Sequence, residues 1–206
     1  VPKTVNQEKY VKSMYSVKKP IVFAIGPAGS GKTLLGCKTG IQHLEKQKIS
    51  KVILTRPATG GDENLGYLPG TLDEKMKPWV QPLIDSFMLR NSDIEHMKYH
   101  NKLEIVPFAF MRGRTFNNSW IIADEMQNAT SMQLKMLLTR LGPNSKIVVT
   151  GDLNQCDIDD SGLETFLNEA KSKKLKYIDI VELENNDIIR HDAITEVLDI
   201  YDCLRK

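Results

Sequence analysis

Eight consecutive residues constrain this chain more than any others: Gly26-Pro27-Ala28-Gly29-Ser30-Gly31-Lys32-Thr33. They meet the pattern G-x-x-x-x-G-K-[ST] at every fixed position. An apolar run, Ile21 to Ile25, precedes them, and an amphipathic stretch from Lys32 to Lys46 follows. This is the strand–loop–helix order that a phosphate cradle needs. The glycines let backbone N–H groups wrap a β-phosphate, and the helix start adds the positive end of its dipole. In such a cradle Lys32 neutralises β and γ oxygens, the Thr33 hydroxyl ligates Mg²⁺, and Leu34 closes the nucleotide-contacting run. An accidental glycine turn before a helix would not also demand the lysine and the threonine.

The rest of the chain alternates short apolar runs with amphipathic stretches, as parallel α/β proteins do. Lys51 to Thr55, Leu103 to Val106, Trp120 to Ala123, Lys146 to Thr150 and Tyr177 to Leu183 read as further strands. Ser131 to Leu141, Leu163 to Lys173 and Asp192 to Leu204 read as helices, the first capped by Thr130 or Ser131 and stopped by Gly142-Pro143. No repeat, low-complexity tract or linker divides the 206 residues, so one domain is expected over 1–206. A formal net charge of +2 excludes a global field for nucleic acid, so any such partner must be held by local patches. Cys37, Cys156 and Cys203 lie far apart and form no CxxC pair, which favours a reducing compartment over a disulfide framework. No apolar run approaches the roughly 20 residues that span a bilayer. The polar, lysine-bearing stretch from Val1 to Lys19 is no signal peptide, and a cytoplasmic location with no membrane partner is expected.

A phosphate cradle needs a second metal-side carboxylate. Trp120-Ile-Ile-Ala-Asp124-Glu125 supplies it as an apolar strand ending in two acids. Asp124 is the candidate metal-side acid and Glu125 the candidate general base for an attacking water. A capping pair for the next helix is the rival reading, but these acids end a buried strand. A double acid also separates hydrolases from nucleotide kinases, which must exclude water. Lys146 to Thr150 then runs into Gly151-Asp-Leu-Asn-Gln155, a polar cluster at a strand's carboxyl end, where open α/β sheets place ligands. Gln155 there is a candidate contact for a γ-phosphate or the lytic water. Taken alone, a surface turn explains that string as well.

The stretch from Arg56 to about Leu72 carries four glycines and little periodicity, and reads as a long functional loop. Asp73 to Arg90 reads as helical, interrupted by Pro78 and Pro82. His96 and His100 have the spacing of two ligands on one helix face, but no third ligand accompanies them. Lys171, Lys173, Lys174 and Lys176 form a basic cluster that a solvated face would explain. Tyr67 and Trp79 are candidates for stacking single strands, with core or interface positions as the alternative for Trp79.

Taken in order, Gly26-Pro-Ala-Gly-Ser-Gly-Lys-Thr33, Thr55-Arg-Pro57, Phe110-Met-Arg-Gly-Arg-Thr-Phe116, Asp124-Glu-Met-Gln-Asn128, Gly151-Asp-Leu-Asn-Gln155 and Ile188-Ile-Arg-His191 closely resemble the PhoH family of P-loop ATPases. The resemblance spans about residues 4 to 205. It implies a doubly wound, mainly parallel sheet like the first RecA-like domain of superfamily-1 helicases, with ATP and Mg²⁺ at the strand carboxyl ends. Some members carry an added PIN ribonuclease domain, for which no room is read here. Asn6-Gln7, in the segment 1–19, resembles the glutamine that reads adenine in helicase-like ATPases, since a Gln pairs with both a donor and an acceptor. Arg190 falls where helicases place a phosphate-contacting arginine, acting within the chain or on a neighbour. Arg56, Arg112 and Arg114 stand open between phosphate, an RNA backbone and a subunit interface. Because helicases close their site with a second RecA-like domain, a self-assembled ring such as a hexamer is expected to complete it here.

Three functions remain open on these residues. The first is ATP hydrolysis coupled to remodelling nucleic acid, with single-stranded RNA as partner. The second is a homo-oligomeric assembly module that uses nucleotide as its switch. The third is a small-molecule phosphotransferase, which Glu125 and Gln155 oppose because both serve water.

Overall fold

Among the described residues, six parallel strands form one sheet. The structure is a computed structural model that describes residues 1–57, 81, 84–87 and 89–189, apart from the side chain at 109. The strands are β1 (Ile21–Ile25), β2 (Lys51–Thr55), β3 (Leu103–Ile105), β4 (Ser119–Ala123), β5 (Lys146–Gly151) and β6 (Ile178–Glu182), and they lie in the order β3-β2-β4-β5-β1-β6. The helices are α1 (Val5–Tyr15), α2 (Lys32–Glu45), α3 (Asn91–Tyr99), α4 (Ser131–Leu138) and α5 (Gly162–Ala170). The fold is α/β, and every strand pair is parallel.

Alternation along the strands divides the core into two layers. Val22, Val52, Leu54, Trp120, Ile122 and Val148 face α1, α2 and α3, where Tyr10, Met14, Leu35, Cys37 and Ile94 meet them. Phe23, Ile53, Ile121, Ile147 and Val149 face the other way, against Leu134 and Leu137 of α4 and Leu163 and Leu167 of α5. Both faces are therefore covered, which is why these strands read as continuous apolar runs rather than alternating ones. The sheet is doubly wound, as the resemblance implies.

Two local features set the spacing of α2 on the sheet. Trp120 of β4 is buried and its Nε1 donates to the Gly36 carbonyl at 3.2 Å. A Cβ at Gly40 would lie 2.6 Å from the Trp120 ring, so only glycine lets the indole seat there. The second feature is α1, which sequence periodicity does not announce. Thr4 caps it by accepting from Gln7 N, and its buried residues Gln7, Tyr10, Ser13 and Met14 include two polar ones. Those polar positions hide the apolar stripe from a hydropathy reading.

Helix boundaries differ modestly from the sequence reading. α4 stops at Leu138 rather than Leu141, and α5 at Ala170 rather than Lys173. Thr130 is the cap of α4, in a reciprocal capping box with Gln133. The helices expected over 73–90 and 192–204, the loop over 56–72 and Arg190 lie mostly or wholly outside the described residues.

Candidate nucleotide site

β1 delivers the chain to Gly26, whose N donates to the Gly151 carbonyl at the end of β5. The loop turns through Gly29 and Gly31, both at positive φ, and Gly31 (φ +85°) opens α2 with no side-chain cap. A β-carbon would strain that left-handed backbone, and leaving the first N–H groups of α2 uncapped presents them to an anion. Lys32 turns back over the loop, with Nζ donating to the carbonyls of Gly26 (2.7 Å) and Pro27 (2.8 Å). Burial lowers its pKa, and the neighbouring carboxylates Asp152, Glu125 and Asp124 oppose that shift.

The acids arrive on β4, two strands from β1. Asp124 is buried, and its Oδ1 accepts from Thr33 Oγ1 at 2.6 Å and from Thr150 Oγ1 at 2.5 Å. The two metal-side residues expected from the sequence thus meet, and Thr150 joins them from β5. Glu125 follows in a left-handed conformation (φ +54°, ψ +38°), uncommon for a residue with a side chain. Its Oε2 accepts from Gln127 Nε2 at 2.5 Å.

Gln127 is almost fully buried and joins two loops. Its Nε2 also lies 3.3 Å from the Gln155 carbonyl, and its Oε1 accepts from Asp152 N at 3.1 Å. Asp152 in turn reaches the P-loop: Oδ2 accepts from Ala28 N at 3.0 Å and Oδ1 from Asn154 N at 3.1 Å. Asn128 adds a two-way pair with Asp157, donating to its carboxylate and accepting from its backbone N. The P-loop, the Asp124-Glu125 loop and the Gly151–Gln155 loop are therefore one hydrogen-bonded unit. Gln155 is exposed beside it.

Gln127, Thr150 and Asp152 carry no assigned role in the sequence reading. Their only signal there is membership in, or adjacency to, the strings Asp124–Asn128 and Gly151–Gln155.

Gln7 sits against the P-loop from α1. Its Nε2 donates to the carbonyls of Ser30 (3.0 Å) and Asp187 (3.1 Å), and its Oε1 accepts from Lys3 N. Thr4 Oγ1 and Asn6 Nδ2 both donate to the Asp187 carboxylate, which ties the start of α1 to the turn after β6.

The three arginines left open in the sequence separate. Arg114 pairs with Glu104 at 2.8 Å and lies over the Phe116 ring, so it fastens its own loop. Arg112 is exposed and has no ion pair among the described residues. Arg56, just past β2, has a buried Nε with no hydrogen-bond partner among the described residues. The lysines of the 171–176 cluster follow α5 and precede β6, which places them at the amino ends of the strands, away from the P-loop. His96 and His100 stack with ring centroids 4.3 Å apart, but no group of three metal-ligating side chains exists among the described residues.

A glycine loop at a helix start, a lysine within it, and a threonine sharing a carboxylate with the adjacent strand define a P-loop nucleotide-binding fold of the NTPase class. The match of residues 1–202 to the PhoH-like protein family narrows this further. The chain belongs to that family. It is 41% identical over 204 residues to the PhoH-like protein of Bacillus subtilis, covering 97% of this chain and 63% of that protein. Against the PhoH-like protein of Mycobacterium tuberculosis H37Rv the identity is 43%, covering 97% and 57%. Against Protein PhoH of Escherichia coli K12 it is 38%, covering 95% and 56%. The chain thus spans somewhat over half the length of these relatives. Among solved structures, the Pif1 helicase of Candida albicans aligns with a TM-score of 0.47 and 18% identity, over all of this chain and 44% of that one. Among the described residues no helix is long and apolar enough to cross a membrane.

Proposed function

We propose that this chain binds ATP with Mg²⁺ at Gly26 to Leu34 and hydrolyses it, coupling turnover to the remodelling of single-stranded nucleic acid, RNA first. The observation that carries this reading is the shared oxygen of Asp124, on which Thr33 of the P-loop and Thr150 of β5 converge. The donor set fits the group: hard oxygens from a hydroxyl and a carboxylate suit magnesium, and uncapped helix N–H groups suit phosphate. Magnesium in that position neutralises charge on the β- and γ-phosphates.

The chain's own residues supply the rest. Lys32 exchanges the Gly26 and Pro27 carbonyls for phosphate oxygens. Glu125 takes a proton from the attacking water at its carboxylate, and Gln127 fixes the orientation of that carboxylate from one side. Gln155 reports the γ-phosphate, and because Gln127 bonds its backbone, that report reaches Glu125. Gln7, against the Ser30 carbonyl, is the adenine-side residue of the proposal.

Lys32 is set against three carboxylates, Asp124, Glu125 and Asp152. A γ-phosphate transition state calls for more positive charge than one lysine. Arg190 fills that role, within the chain or across a homo-oligomeric ring such as a hexamer, in which a neighbouring copy closes the site. Cysteine usage supports a cytoplasmic setting.

The test is steady-state ATPase activity of the wild type and Glu125→Gln, each with and without single-stranded RNA. Turnover that RNA accelerates, with a variant that binds ATP without hydrolysing it, is the expected result. ATP binding without hydrolysis under any condition sinks the motor reading and leaves a nucleotide-dependent assembly module.

A further inference from the structure

The stretch after β3 makes a short 3₁₀ turn, Phe108–Met111. Its two anchors are buried, Phe108 at 6% exposure and Met111 at 0%, whereas Phe110 between them is 60% exposed. Leaving a phenyl ring in water forgoes the favourable free energy of burying it. Yet this turn is well fixed. Arg114 is held by Glu104 and the Phe116 ring, and Arg140 Nη1 donates to the Arg114 carbonyl at 3.1 Å. The ring is therefore presented by a rigid support rather than left over from a loose loop.

Arg112 is the next exposed side chain, unpaired among the described residues. One strand inward, the register pairs Leu54 of β2 with Ile105 of β3, so Arg56 and Pro107 each stand two residues past that pair, beyond the ends of their strands. Arg56 carries the buried Nε with no partner among the described residues. Its guanidinium places a permanent positive charge there. An exposed aromatic, an exposed arginine and a second, part-buried arginine thus follow the carboxyl ends of β2 and β3.

We propose that Phe110 and Arg112, extended by Arg56, form a contact track for single-stranded nucleic acid, the ring stacking on a base and the guanidinium groups holding phosphates. The proposal rests on the nucleic-acid reading above and names the residues that serve it. A stacked aromatic beside cations suits single strands, because every base offers a face and the sugar-phosphate backbone is a polyanion. The track also has a packed route to the chemistry. Phe108 and Met111 belong to the same apolar cluster as Met126 and Ala129, which flank the loop that begins at Glu125. A base pressing on Phe110 thereby bears on the loop of the catalytic base.

The test uses the whole chain and fluorescein-labelled oligouridylate and oligothymidylate, read by anisotropy, beside basal and oligonucleotide-stimulated ATPase and the mass in solution. Phe110→Ala is expected to weaken binding about ten- to a hundredfold, the range of one lost base stack, with basal turnover unchanged. Phe110→Trp restores binding. Arg112→Ala lowers the slope of log affinity against log salt by about 0.7, the value for one phosphate on a single strand. A preference between the two oligonucleotides distinguishes RNA from DNA as the natural strand. If the wild type binds and Phe110→Ala binds equally well, the track is wrong while the motor reading stands. A change of mass in Phe110→Ala with binding intact makes the turn a subunit interface instead. A wild type that binds neither oligonucleotide removes the nucleic-acid reading and the track together.

Discussion

Thr150 Oγ1 donates to Asp124 Oδ1 at 2.5 Å, and Thr33 Oγ1 reaches the same oxygen at 2.6 Å. One hydroxyl comes from the strand between β4 and β1, the other from the helix after the P-loop. Asp124 is thus held from both sides at a fixed height over the sheet.

Thr150→Val keeps the volume and β-branching of a fully buried position while deleting its donor. The loss of a hydrogen bond to a carboxylate costs about 1.5–3 kcal/mol of stability. Its larger expected effect is on the metal. Half-maximal magnesium for turnover should rise and kcat fall about tenfold, a loss of roughly 1.4 kcal/mol of transition-state stabilisation, while ATP affinity in the absence of magnesium stays level. A magnesium titration of ATPase activity reads this directly. Unchanged magnesium dependence would assign Thr150 to packing alone.

Gln7 tests how the base is chosen. Its amide is bonded to Ser30, Asp187 and Lys3 through backbone atoms, so it pins α1 to the P-loop. If it also reads adenine, Gln7→Ala weakens ATP more than GTP, by about five- to tenfold for one hydrogen bond. Competition binding with both nucleotides decides the matter. Equal weakening of the two confines Gln7 to holding the loop.

Lys146 makes stability depend on alkaline pH. It is buried at the start of β5 and donates from Nζ to the carbonyls of Ser13 and Ser16, at the end of α1. Burial lowers its pKa from 10.5 to about 8, against an opposing pull from Asp179. A folded-state pKa below the unfolded one means that unfolding takes up a proton between those values. Stability therefore rises as pH climbs from about 8 towards 10.5. Lys146→Met removes this term, so the melting temperature of the wild type should gain on that of the variant across the window. Calorimetric scans at several pH values measure the gain, and parallel curves for the two proteins would refute it.

Much of the fold was legible because its signals are local. β1, β2, β4 and β5 are runs of apolar residues bounded by turns, and buried parallel strands need little else. Gly26 to Thr33 was legible for the same reason: a helix start that wraps phosphate needs its glycines and lysine within eight positions. Helix α1 was not, since it is held by Thr4, Asn6 and Gln7 bonding to Asp187 and Ser30, partners at the far end of the chain and in the P-loop. Phe110 was likewise unreadable. The same turn buries Phe108 and Met111, and only packing against the sheet decides which of three apolar side chains stays outside.

The sequence by itself determined the cradle, the pair of acids and the parallel α/β class, because each depends on residue types at fixed short spacing. Tertiary structure alone decided what surrounds them. It brought Thr150 beside Thr33, set Gln127 between Glu125 and Asp152, and retired Arg114 into an ion pair with Glu104 while leaving Arg112 exposed. These relations join positions separated by tens of residues, and strand order in the sheet, which no local spacing encodes, is what brings them within hydrogen-bonding distance.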